Sequence, residues 1–144
     1  MGADAYIDAP LPTVSVVVPG AVVSTQNTRR WAHVRATKQL RAHTYITLHN
    51  SRELLPLMWH EVAGGVVAVL MTRIYSGRQR VYGFDTLVYS LKAVRDGVAD
   101  YLWRRCPKCA NIPCGHVHDD DERMTWNYAQ RRGEKPGVLV EVWT

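Results

Sequence analysis

At 144 residues, with 47% apolar and 22% charged side chains, the chain can bury one core, is too short for two ordinary domains, and lacks the polar bias of a disordered protein. Its net charge of +5 favours a polyanionic partner such as nucleic acid or an anionic membrane. A membrane is set aside, because the longest apolar stretch, Val62 to Met71, contains Gly64 and Gly65 and is about half of a bilayer crossing.

The opening MGADAYIDAP lacks the basic-then-apolar order of a secretion signal, and Tyr6 stands where a myristoylation motif wants Ser or Thr. Three cysteines, all between Cys106 and Cys114, suit metal binding in a reducing compartment better than a disulfide framework. A cytoplasmic protein with no membrane partner and no small-molecule cofactor is therefore expected. Residues 1–12 read as an extended arm. The β-branched run Thr13 to Val18, closed by Pro19-Gly20, predicts a first strand and a turn. A segment dense in Arg, Lys and His predicts a helix from about Arg30 to Thr44, its apolar periodicity blurred. The valine-rich run Gly64 to Arg73 predicts a buried second strand.

From Asp85 to Trp103 the positions Leu87, Leu91, Val94, Val98 and Leu102 follow helical spacing and predict one long helix packed on a sheet. On such a helix Asp85, Lys92 and Asp96 form a polar stripe about 40° wide. Met124, Trp126 and Tyr128, then Val138, Val140 and Val142, alternate with polar residues around turn chemistry at 131–137, which predicts a terminal hairpin. The expected fold is α+β: a single domain over 1–144, with a mixed sheet of about four strands covered by two helices in the order β-α-β-α-β-β.

Between the second helix and the hairpin lies an insert, 104–119, carrying Cys106-Pro107-Lys108-Cys109, then Cys114, His116 and His118. Three thiolates and an imidazole are the ligand set of a closed tetrahedral zinc site. Cys106, Cys109, Cys114 and His116 are the expected ligands of a structural Zn²⁺, with His118 the alternative to His116. Such a site would fix the loop and set the position of the acidic run that follows, Asp119 to Glu122.

Other residues carry a family resemblance. Phe84-Asp85-Thr86-Leu87, running on to Leu91-Lys92-Ala93-Val94-Arg95-Asp96-Gly97-Val98, resembles the D-x-D-N-L and K-A-x-x-D-G/A-L motifs of the RusA-like Holliday-junction endonucleases. Asp120-Asp121 ahead of Met124 to Gln130 is similar to the second half of that active site. Val16 to Gly20, followed by Asn27, Arg29, Arg30 and Trp31, is similar to the family's strand, V-P-G turn and N-R-x-R-x-W region. The resemblance covers about residues 13 to 143. It implies a homodimer, of phage or prophage origin, that cuts branched DNA with catalytic Mg²⁺ held by Asp85, Asp120 and Asp121. Lys92 matches the family's essential lysine, and Asp96 is read as the residue that orients it.

Carboxylate-held magnesium suits phosphodiester cleavage because negative charge grows on the phosphate oxygens as water attacks. Asn27, Arg29, Arg30, Arg35, Lys38 and Arg41, with His33 nearby, are the expected DNA contacts, since such clusters neutralise backbone charge. Trp31 is read as a core anchor. Arg78, Arg80, Arg131 and Arg132 extend the basic surface. Two departures stand out: the family's first aspartate falls at Gly83 and its asparagine at Thr86. The missing carboxylate is replaceable by Asp119, Glu122 or Glu61. Otherwise the chain grips branched DNA without cutting it, or has turned the fold to a protein target.

Overall fold

The computed structural model describes residues 11–12, 14–20, 30–51, 67–102 and 124–143, with the side chains of 30–33 left aside. Four strands and three helices follow in the order β1 (Val14–Pro19), α1 (Arg30–Asn50), β2 (Val67–Tyr75), α2 (Phe84–Ser90), α3 (Lys92–Leu102), β3 (Met124–Arg132) and β4 (Gly137–Trp143). The α+β class and the mixed four-stranded sheet agree with the sequence reading. The 1–10 part of the arm and the Cys/His insert lie outside the described residues. Among the described residues no helix is long and apolar enough to cross a membrane.

The sheet order is β1-β4-β2-β3. β4 pairs antiparallel with β1, from Val14 opposite Val142 to Pro19 opposite Gly137, and antiparallel with β2, from Ala68 opposite Trp143 to Ile74 opposite Gly137. β3 lies parallel to β2, from Val67 beside Met124 to Tyr75 beside Arg132. The expected terminal hairpin is thus corrected, because β3 and β4 are separated by β2. The turn between them crosses the end of that strand. Gly133 donates its N–H to the Tyr75 carbonyl at 2.9 Å. A Cβ there would come within 2.6 Å of the Ile74 side chain, so only glycine lets the crossing lie this close.

Period-two alternation decides which residues enter the core. Val67, Val69, Met71 and Tyr75 of β2, Val138, Val140 and Val142 of β4, and Val14 and Val18 of β1 are all buried. All of these except Tyr75 form one cluster with Leu48 of α1 and with Leu87, Leu91, Val94, Val98 and Leu102. The five-residue stripe of the second helical segment is therefore the core-facing stripe the spacing predicts. Burying each such aliphatic side chain stabilises the fold by about 1.5–3 kcal/mol.

The single helix expected over 85–103 is two segments joined at Leu91, whose φ of −97° and ψ of 2° leave helical geometry. No proline or glycine marks the break. Ser90 donates its hydroxyl to the Leu87 carbonyl at 2.7 Å, and that same carbonyl accepts the Leu91 N–H at 3.2 Å. A side-chain hydroxyl competing for a helical carbonyl bends the helix. α1 is six residues longer than expected, reaching Asn50. Leu48 is buried, and Tyr45 meets Tyr101 of α3 edge-on at 5.8 Å, so packing carries the helix through a β-branched stretch of weak propensity. β2 runs on past Arg73 to Tyr75.

α1 and α3 touch at Gly97, where a Cβ would meet the Arg41 carbonyl oxygen and Thr44 Cβ, each at 2.7 Å. Gly97→Ala gains about 1 kcal/mol of helix propensity but forces the two helices apart, an overpacking that costs about 1–3 kcal/mol. With backbone as one of the obstructing groups, the cost lies toward the upper end, and the expected outcome is a net loss of up to about 2 kcal/mol, read as a lower urea midpoint at unchanged slope. A midpoint raised by the full propensity gain would show that the helices do not meet there.

Candidate functional site

The chain leaves the carboxyl end of β2, which lies parallel to β3, through the segment 76–83 into α2, and the carboxyl ends of parallel strands are where α/β proteins place ligands. Segment 76–83 turns at Gly77, φ +62°, and ends at Gly83, φ +89°, which precedes α2. It is fastened midway. The Gln130 side chain of β3 accepts the Val81 N–H at 3.2 Å and donates its amide to the Val81 carbonyl. Val81 is thereby drawn against the core while its neighbours Arg80 and Tyr82 stand exposed. Phe84, the first residue of α2, meets Tyr128 of β3 edge-on at 6.1 Å.

Asp85 follows in the first turn of α2, exposed, where the positive end of the helix favours an acid. It caps nothing: no side-chain hydrogen bond closes the helix start at Gly83. Among the described residues it forms no ion pair. Lys92 opens α3 and donates to Asp96 at 2.6 Å, so Asp96 holds the lysine as the sequence suggests. Asp85 and Lys92 thus stand on two successive helical segments, on either side of the break at Leu91.

Arg41, an expected DNA contact, reaches across to α3. Its Nε and Nη2 donate to the two Asp100 oxygens at 2.6 and 2.7 Å, and its Nη1 lies 4.0 Å from Asp96. Lys92, Asp96, Asp100 and Arg41 therefore form one charge network between α1 and α3. Arg35 and Lys38 are exposed on α1. Arg30 begins α1, its side chain undescribed, and Asn27 and Arg29 lie outside the described residues. So do Asp119 to Glu122, Glu61, Cys106, Cys109, Cys114, His116 and His118. Among the described residues no group of three or more His, Cys, Asp or Glu side chains is placed to hold a metal ion.

The segment that leads to Asp85 and the end of β3 are both rich in arginine. Arg78 and Arg80 of segment 76–83 and Arg131 and Arg132 of β3 are exposed and pair with no acid among the described residues. Arg132 and Arg73 both lie over the Tyr75 ring, at 5.9 and 5.8 Å, and Arg80 lies over Tyr82 at 5.5 Å. Arg73 is buried, and that burial pulls its guanidinium below its ordinary pKa, with Tyr75 opposing the shift. On the other flank, Arg95 donates to the Tyr128 hydroxyl at 2.8 Å and lies 4.9 Å from the Trp126 ring.

Arg73, Gln130, Tyr82 and Tyr128 were not singled out by the sequence reading. The signal in the sequence is two aromatic residues, Tyr82 and Phe84, flanking a glycine just ahead of the apolar stripe. Gln130→Ala removes both bonds to Val81. The expected result is amide exchange at residues 78–85 faster by about tenfold, with global stability lower by about 1 kcal/mol. Unchanged exchange at Val81 would show that Gln130 does not hold the segment.

No protein-family model, no curated protein and no solved structure matches the chain.

Proposed function

We propose that this chain is a magnesium-dependent endonuclease of the RusA-like kind, which cuts four-way and other branched DNA as a homodimer. Two symmetry-related sites suit the paired cuts that such a junction requires. The observation that carries the reading is the exposed carboxylate of Asp85 in the first turn of α2, just after a segment whose exposed Arg78 and Arg80 pair with no described acid. Phosphates drawn to Arg78 and Arg80 would be held on the segment that leads into the acid.

In this reading Asp85, Asp120 and Asp121 offer hard carboxylate oxygens, the donors magnesium prefers. The bound ion would neutralise charge developing on the phosphate. Lys92 contacts the phosphate and Asp96 keeps its amine in place. One requirement follows from the described strands. Met124 opens β3, and Tyr128, which touches Phe84, lies four residues on, about 13 Å along the strand. The acids ahead of Met124 reach Asp85 only by returning along that length. The proposed Zn²⁺ site of Cys106, Cys109, Cys114 and His116 is the device that would hold them there.

A second reading is a branch-binding protein that does not cut, and one observation favours it. Gly83, where the family's first aspartate falls, has φ +89° and ψ 135°, a conformation that side-chain-bearing residues avoid. An aspartate restored there would be strained.

Incubating a labelled four-way junction with the protein and Mg²⁺ separates the two readings. Cleavage by the parent, reduced about 10²–10³-fold in Asp85→Asn and in Asp121→Asn, is the expected result. Tight binding without nicks in Mg²⁺ or Mn²⁺ establishes the second reading. Metal analysis tests the insert separately: about one zinc per chain is expected, and less than about half a zinc in protein purified without chelator overturns that site.

A further inference from the structure

We infer that the ridge formed by Arg80, Tyr82 and Phe84, with the end of β3 beside it, is a stacking platform for unpaired bases. The inference rests on the branched-DNA reading and adds the substrate feature recognised: unpaired nucleotides at the branch point.

Tyr82 is 78% and Phe84 65% exposed, unusually open for aromatic rings on either side of one glycine. Neither is loose. Val81 is fastened to Gln130 immediately before Tyr82, Phe84 is seated against Tyr128, and Arg80 lies over the Tyr82 ring. Gly83 at φ +89° makes the sharp turn between the two rings.

Around them the charge is one-sided. Arg78, Arg80, Arg131 and Arg132 are exposed and pair with no described acid; Asp85 and Glu134 are the exposed acids nearby in the chain. Arginine predominates, with Lys135 the one lysine along these two stretches. Guanidinium groups bind phosphate through a planar fork and also stack on π faces. Cations alone would serve a paired duplex, whose bases are already stacked on one another. Exposed rings interleaved with arginine serve single strands, because every base offers a π face. Phe84 of the platform immediately precedes Asp85 in the chain. Arg41, engaged with Asp100 and Asp96, is not required for this contact.

The test uses the full chain in chelator-free buffer with Ca²⁺ in place of Mg²⁺, so that binding is read without cleavage and without stripping zinc. Fluorescence anisotropy compares a labelled oligothymidylate with a blunt duplex of equal length, and a 2-aminopurine placed in the single strand reports stacking by quenching. The parent is expected to bind the single strand more tightly and quench the probe. Tyr82→Ala should weaken single-strand binding by roughly five- to a hundredfold, leave duplex binding within about twofold, and abolish most of the quenching. Tyr82→Phe should behave like the parent. Arg80→Ala and Arg132→Ala should weaken both forms and reduce the salt dependence, by about 0.7–0.9 in slope each.

Equal losses on single strand and duplex, or unchanged quenching in Tyr82→Ala, overturn the platform. So does the absence of nucleic-acid binding, which would point to a protein partner for the rim. Preferential single-strand binding without junction cleavage removes the nuclease and leaves the platform standing. Junction cleavage with Tyr82→Ala indistinguishable from the parent does the reverse.

Discussion

The insertion of β4 between β1 and β2 is the constraint on which the other contacts depend. Without it β1 has no described partner strand, and β2 is left with β3 alone. The insertion requires the chain to step over the end of β2, and the step is tight: Gly133 hydrogen-bonds to Tyr75 and has no room for a Cβ against Ile74. Gly137, just beyond the step, is as close-fitted, since a Cβ there would lie 2.9 Å from the Val18 carbonyl. Two glycines thus let one short connection reach across a strand and enter the middle of the sheet.

The same arrangement makes the candidate site. With β4 filling one side of β2, β3 takes the other side in parallel, and a parallel partner requires a crossover. That crossover is the pair α2 and α3, whose start must lie at the carboxyl ends of β2 and β3. Asp85, segment 76–83 and the β3 arginines are brought together by this geometry although roughly fifty residues separate the two arginine groups in the chain. Gln130 and Tyr128 then fix the segment against the sheet. The charge network of Arg41, Asp96, Asp100 and Lys92 stands on the outer side of the α1–α3 contact, where it serves helix pairing.

Much of this was legible in the residues. The stripe from Leu87 to Leu102 is buried throughout, and the alternating valines of β1 and β4 face the core. Which strand lies beside which was not legible, because alternation identifies a strand's buried face and says nothing of its neighbour. Turn chemistry at 131–137 shows that the chain reverses, but not that it clears β2 before pairing. The bend at Leu91 depends on one hydroxyl, that of Ser90, choosing a helical carbonyl. At the site, charge pattern revealed where arginines are dense without revealing their partners. Arg41 and Arg80 look alike in sequence; one is held by two aspartates and the other faces solvent beside a tyrosine.

The sheet order also dictates when the molecule can assemble. Val14 waits for Val142, a pairing spanning nearly the whole chain, and β2 gains its antiparallel neighbour only once Gly137–Trp143 has left the ribosome. Until then the nascent polypeptide carries two hydrophobic strand edges open to self-association, and closure of the sheet is a late, non-local event of the kind that folds slowly. Losing β4 would therefore split the sheet at its centre.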